Sequence, residues 1–273
     1  MRSMQTRART ASALLALLTA LSCSRSAERA APPVVRIIAT DDGFEMPARI
    51  EGGIREVHLI NHGTTTHEGV FERFLTADGN AAAFAESVRA GVDVPAFAED
   101  SGGPGLALPG DSTVVWIDLR PGHYAVSCWY AGHLEHGQIR DFDVVPATHG
   151  AQPPSADLVV KMFDYSYTFE GDWSAGSHWV RVENQGTETH EFDPYRLEPG
   201  RKPQDFFHWI ENHRQGPAPA VPLGGSGTFQ PRGRIWLPLK LTPGRYFAFC
   251  QMPAKVGGKP HYQMGMVREF EVR

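Results

Sequence analysis

Cys128 and Cys250 carry the most reactive groups in this chain, and each is followed by an imidazole and then by a weak donor. Cys128 precedes His133 and Gln138, and Cys250 precedes His261 and Met266. About sixty residues upstream of each cysteine stands a further histidine in a repeated phrase. Residues 61–68 read NHGTTTHE, ending on His67 and Glu68, and residues 184–191 read NQGTETHE, ending on His190 and Glu191. One thiolate, two imidazoles and a weak axial Met or Gln are the donors of a mononuclear type 1 copper site. The expected ligands are therefore His67, Cys128, His133 and Gln138 in one copy, and His190, Cys250, His261 and Met266 in the other. Copper, as one or two ions, is the expected cofactor.

The elements that must hold these donors are also duplicated. Residues 121–128 read PGHYAVSC and 243–250 read PGRYFAFC; residues 137–144 read GQIRDFDV and 265–272 read GMVREFEV. In strand period, Tyr124, Val126 and Cys128 share one face, as do Tyr246, Ala248 and Cys250. Short β-rich runs bounded by Gly, Pro or Asp recur through both copies. Each copy has one helical insertion, expected at 80–89 behind a capping Asn80 and at 203–214 behind Pro203. Many short strands with one short helix predict an all-β chain of two tandem Greek-key β-sandwich domains. The expected boundaries are 34–146 and 157–273. Between them, 147–156 is a linker in which Pro153-Pro154 opposes regular structure.

With the PG-x-Y-x3-C strand and the Cys-His-Gln/Met order in view, each repeat resembles the cupredoxin family of blue copper proteins, which includes plastocyanin and azurin. The resemblance spans nearly all of the chain after its first 33 residues. It implies a β-sandwich in which His67 and His190 are the upstream imidazoles, Cys128 and Cys250 the thiolates, and His133 and His261 the loop imidazoles. Gln138 and Met266 then stand axially, and a Gln axial ligand implies the lower potential.

Two departures from the family pattern leave the ligand set open. Glu68 and Glu191 follow the upstream histidines where Asn or Asp is usual, and either could be a ligand or a counter-charge. Ten residues separate Cys250 from His261, a stretch the family normally keeps much shorter, although loop closure entropy grows only slowly with length. His136 and Met264 are rival donors on the two loops. A free cysteine can also serve simply as a small buried hydrophobe.

The bulk composition narrows the function. The chain has 273 residues, 26 Lys and Arg against 31 Asp and Glu, and a net charge of −5. No basic stripe is present, so nucleic acid is not an expected partner. Residues 1–22 combine Arg2, Arg7 and Arg9 with the apolar run Ala11–Leu21 and then the small Ser22, the pattern of a secretory signal. Ala20-Leu21-Ser22-Cys23 resembles a lipoprotein signal with Ala in the usual place of Leu, and plain signal-peptidase cleavage after Ala-x-Ser is the alternative. Ser24 favours an outer-membrane address, and residues 23–33 are the tether. Export to the periplasm or cell envelope follows, with a lipid on Cys23 as the expected membrane contact. That leaves one unpaired cysteine per repeat, and equivalent buried positions rarely reach disulfide distance.

Enzyme patterns are missing from these letters. No His-x-His or His-Cys-His pair is present, as multicopper oxidases require, and Ser127 and Phe249 occupy the places where nitrite reductases put a histidine. The expectation is a non-enzymatic electron carrier serving a redox partner protein. A metal-free binding or scaffold module and a copper sequestration or delivery protein are the alternatives.

Overall fold

The structure is a computed structural model that describes residues 34–148 and 150–273. The expected leader, tether and Cys23, together with His149, lie outside the described residues. In the first repeat the strands before the helix are β1 (Val34–Thr40), β2 (Gly43–Glu45), β3 (Arg49–Glu51), β4 (Gly53–Asn61) and β5 (Val70–Phe74). Helix α1 (Ala81–Arg89) leads into β6 (Ala98–Asp100), β7 (Ser112–Leu119), β8 (Gly122–Ser127) and β9 (Ile139–Val145). The second repeat begins with β10 (Leu158–Phe163), β11 (Ser166–Glu170), β12 (Gly176–Asn184) and β13 (His190–Leu197). Helix α2 (Pro203–Glu211) then precedes β14 (Ala220–Pro222), β15 (Ser226–Phe229), β16 (Arg234–Leu241), β17 (Gly244–Phe249) and β18 (Val267–Val272).

Alternation along the strands builds the cores. Val57 and Leu59 of β4, and Val180 and Val182 of β12, are fully buried, as period-two burial on a half-covered sheet requires. Tyr124 and Tyr246 lie in the same core, and each hydroxyl donates to a carbonyl four residues earlier, on Arg120 and Thr242. Asn80 caps α1 by accepting from the Ala83 amide at 3.0 Å, and the helix buries Phe84 and Val88. Helix α2 is shorter than expected. It ends at Glu211 because His213 and Arg214 adopt left-handed φ values of 52° and 55°, which cannot continue a helix.

In each repeat a sheet carrying the upstream strands faces a sheet carrying the cysteine strand. In the first, β3-β9-β8-β5-β6 packs over β7-β4-β1-β2; in the second, β14-β13-β17-β18 packs over β11-β10-β12-β16, with β15 also paired to β13. Strands β2, β3, β5 and β6 in the first repeat, and β11, β13, β14 and β15 in the second, are ones that the periodicity did not mark.

The two upstream sheets are one. Strands β16 and β7 pair antiparallel, Ile235 with Ile117 and Trp236 with Trp116, giving an eight-stranded sheet across both repeats. A second seam joins residues 101–105 to β15 through Gly102 N–H to Thr228 O and Gly227 N–H to Gly103 O. Gly102-Gly103 and Gly224-Gly225, glycine pairs at matching places in the two repeats, lie here. A Cβ on Gly103 would stand 2.1 Å from the Gly69 carbonyl oxygen, so only glycine allows the approach. Among the described residues no helix is long and apolar enough to cross a membrane.

Candidate metal centres

Parallel pairing places the first donor of each centre. Strand β1 runs beside β4 with Ala39 opposite Asn61, so Asp41 arrives beside Gly63 and the His67 ring. Strand β10 runs beside β12 with Met162 opposite Asn184, which brings Asp164 beside Gly186 and the His190 ring. Asp41 Oδ1 lies 3.2 Å from His67 Nε2, and Asp164 Oδ1 lies 3.0 Å from His190 Nε2. The repeated phrase now has a physical meaning. Asn61 and Asn184 accept from the amides of Gly63 and Gly186, while Thr64 and Thr187 donate to the two aspartates. A Cβ on Gly63 would stand 2.5 Å from Asp41 Oδ1 and 2.6 Å from His67 Nε2, so the histidine–aspartate pair requires the glycine.

Both aspartates are held below the usual carboxylate range. For Asp41 the Thr64 hydroxyl and amide are the main cause; for Asp164 the hydrogen bonds from Thr187 overcome an opposing push from burial. An ionised acceptor at Nε2 keeps the proton there and leaves Nδ1 with its lone pair free. That is how an outer carboxylate sets the tautomer of a metal-binding imidazole.

The cysteines stand just past the ends of β8 and β17, fully buried and unpaired as thiols. Cys128 Sγ lies 3.8 Å from His67 Nδ1 and 3.4 Å from His133 Nδ1. Cys250 Sγ lies 4.0 Å from His190 Nδ1 and 3.4 Å from His261 Nδ1, and the two Nδ1 atoms are 3.1 Å apart. A metal bound in a plane at roughly 2.0 Å from nitrogen and 2.3 Å from sulfur spreads its donors roughly 3.5–3.8 Å apart. The observed separations, from 3.1 to 4.0 Å, lie around that size. Among the described residues, these two trios are the groups of three His, Cys, Asp or Glu whose donor atoms converge within 4.8 Å. One thiol and two imidazoles in a trigonal set fit copper.

The sulfurs also receive main-chain donors. The amides of Glu68 and Tyr130 point to Cys128, and those of Glu191 and Met252 to Cys250. Burial nevertheless pushes the Cys128 thiol up to about 12, with Glu68 adding to the effect, and pushes Cys250 well above its ordinary value. Burial lowers His133, His190 and His261, so their rings are neutral at pH 7.

The weak donors differ. The Gln138 amide donates to the Thr40 carbonyl at 2.9 Å and lies 2.9 Å from His67 Nδ1. Met266 is fully buried, and its main chain is bonded to both His261 and Cys250. The rival Met264 is 41 % exposed. His136 is exposed and spends Nδ1 on the Gly132 carbonyl at 2.7 Å. Glu68 and Glu191 lie outside both trios. Each accepts from the amide that follows the cysteine, on Trp129 and Gln251, and so ties the upstream histidine to the cysteine loop.

The long loop before His261 is a hairpin excursion. Pro253 pairs with Pro260, Ala254 N–H donates to Lys259 O, and His261 N–H returns to Met252 O at 2.8 Å. The inserted residues leave and re-enter at one point, so His261 reaches the same place a short loop would deliver it. Glu188 was not foreseen. It holds His261 Nε2 at 3.2 Å and accepts from the Tyr165 hydroxyl. In the first repeat Thr65 occupies its place, and His133 is half-exposed.

No family model matches this chain, and no curated protein matches it. Among solved structures, it is similar to a dithionite-reduced auracyanin from Roseiflexus castenholzii, with 21 % identity over 41 % of this chain and 97 % of that one, at a TM-score of 0.29. Auracyanin A from Chloroflexus aurantiacus, a blue copper protein, gives 17 % identity over 42 % and 100 %, at 0.31. A multicopper oxidase gives 17 % identity over 88 % of each chain, at 0.25.

Proposed function

We propose that this chain is an exported electron carrier with one type 1 copper ion in each repeat. The observation that carries the reading is the double convergence of one buried thiol and two imidazoles whose Nε2 atoms face outer acceptors in three of four cases. Copper bound there would supply one-electron chemistry by exchanging Cu(II) and Cu(I). His67 with Cys128 and His133, and His190 with Cys250 and His261, would hold it, with Gln138 and Met266 as the weak axial donors.

The burial of these groups supports transfer over substrate turnover. His67, Cys128, His190, Cys250 and His261 have no exposed surface, so neither centre offers an open position to a substrate. Half-exposed His133 gives a redox partner protein its contact with the first centre. The second centre is covered by the 251–260 hairpin. Export to the cell envelope, with a lipid on Cys23, completes the proposal and rests on the N-terminal sequence.

Loading the purified apo-protein with Cu(II) tests this directly. Two ions per chain and an intense thiolate charge-transfer band are expected, with Cys128→Ser and Cys250→Ser each removing one ion. A colourless protein that retains no copper would leave a metal-free binding module. Rapid surrender of both ions to a competing chelator would indicate delivery instead of electron transfer.

A further inference from the structure

A cavity of about 660 Å³ lies on the seam between the repeats and belongs to neither metal centre. Besides the exposed Asp93 and Glu135, its acidic lining comes from both sides: Glu68 and Asp100 from the first repeat, Glu191 and Asp193 from the second. Glu68, Asp100 and Asp193 are buried and Glu191 is half-buried. Arg214 is the one basic side chain among the lining residues, and its guanidinium sits 4.9 Å above the Tyr130 ring. The walls are aromatic, with Trp129, Tyr195, Phe206, Trp209 and Phe249.

Asp100 is the informative member. It is 1 % exposed, and neither carboxyl oxygen has a hydrogen-bond partner. Its polar neighbours are the Glu72 carboxyl, whose Oε2 is likewise without a donor, and the Thr228 hydroxyl. The charges acting on Asp193 are those of Glu191 and Glu68, which repel it. Burial holds both aspartates well above the usual carboxylate range. A buried carboxyl left without a donor, as Asp100 is, is costly, and a cation is the partner that would satisfy it.

The geometry selects the kind of cation. Among the described residues, three carboxylate oxygens do not converge within 4.8 Å in this cavity, so a bare metal ion has no coordination shell there. The volume is that of a small-molecule site, and aromatic faces attract organic cations. We propose that the seam cavity binds an organic ammonium compound, its protonated amine among Glu68, Asp100, Glu191 and Asp193 and its carbon body against the aromatic walls. The acids of both repeats are needed, so the site exists only because the two repeats share their seam.

Calorimetric titration of the full chain in its apo form with 2-phenylethylamine and with spermidine tests this, with 3-phenylpropan-1-ol as the neutral counterpart. At least one amine is expected to bind saturably at one per chain, at least tenfold more tightly than the alcohol. Asp100→Asn and Asp193→Asn should each weaken amine binding about tenfold and leave the alcohol unaffected. Unchanged copper loading and circular dichroism would show that the variants fold. No saturable binding of either amine, equal binding of amine and alcohol, or amine affinity untouched by both variants would overturn the proposal. So would saturable Mn²⁺ binding in the absence of amine binding.

Discussion

Asp164 Oδ1 lies 3.0 Å from His190 Nε2, and the same atoms of Asp41 and His67 are related in the same way in the first repeat. Removing an outer-shell carboxylate of this kind typically weakens metal affinity 10- to 100-fold. Asp164→Ala made with Cys128→Ser isolates the second centre, and Asp41→Ala with Cys250→Ser isolates the first. Competition against a chelator of known affinity should show a loss of about that size at each. Undiminished affinity would mean that the imidazole orientation is set by packing alone.

Gln138 and Met266, the proposed weak donors, are the one place where the two candidate sets differ in chemistry. Replacing Gln138 by Met should raise the midpoint potential of the first centre, and Met266→Gln should lower that of the second. Spectroelectrochemical titration of the single-site variants reads both shifts. In the unaltered protein the Met centre should be the more oxidising, giving electrons a downhill step within the chain. Equal potentials would remove that relay.

Copper uptake should release protons. Both thiols are held protonated by burial, while His133, His190 and His261 are already neutral at pH 7. Binding as thiolate then displaces about one proton per ion, so Cu(II) affinity should rise about tenfold per pH unit between pH 7 and 8. A pH-stat experiment counts the protons. A flat affinity over that range would show that the thiols do not bind as thiolates.

The acids around the cavity should make the apo-protein less stable as pH rises. Burial pushes Glu68 up to about 8, and raises Glu72, Asp100, Glu191 and Asp193 as well. A folded-state pKa above the unfolded one gives stability that is complete below the unfolded value and is lost as pH climbs through the folded one. Asp41 and Asp164, with lowered values, act in the opposite sense, and their contribution disappears on acidification below their unfolded range near pH 4. Melting temperature should therefore fall by several degrees from pH 5 to pH 8. Asp100→Asn combined with Asp193→Asn should flatten that slope.

The two converging trios were legible in the sequence because their chemistry is carried by residue type and order. His67, Cys128, His133 and their counterparts needed no geometry to be suspected. The strands that end at the cysteines were legible too, through alternation, and the helices through Asn80 and Pro203, whereas β5 and β13 were not. Nor were Asp41, Asp164 and Glu188. Aspartates in turns are common, and these act through the register of two parallel strand pairs that sequence does not state. A usable signal did exist: Asp41 and Asp164 each precede their histidine by 26 residues. The ten-residue gap before His261 could not be resolved from its length, since only the Pro253–Pro260 pairing shows the extra chain doubling back. The cavity was invisible for a related reason, because its acids meet only when the repeats are joined.

The β16–β7 pairing has a mechanical result. Repeats held by a flexible linker alone would let the two centres wander, and any electron passing between them would sample a broad range of tunnelling distances. Strands stitched at Trp116–Trp236 and Ile117–Ile235 turn that distance into a fixed length, set by the sheet as by a ruler. Passage between the centres should then decay with a single rate, insensitive to solvent viscosity.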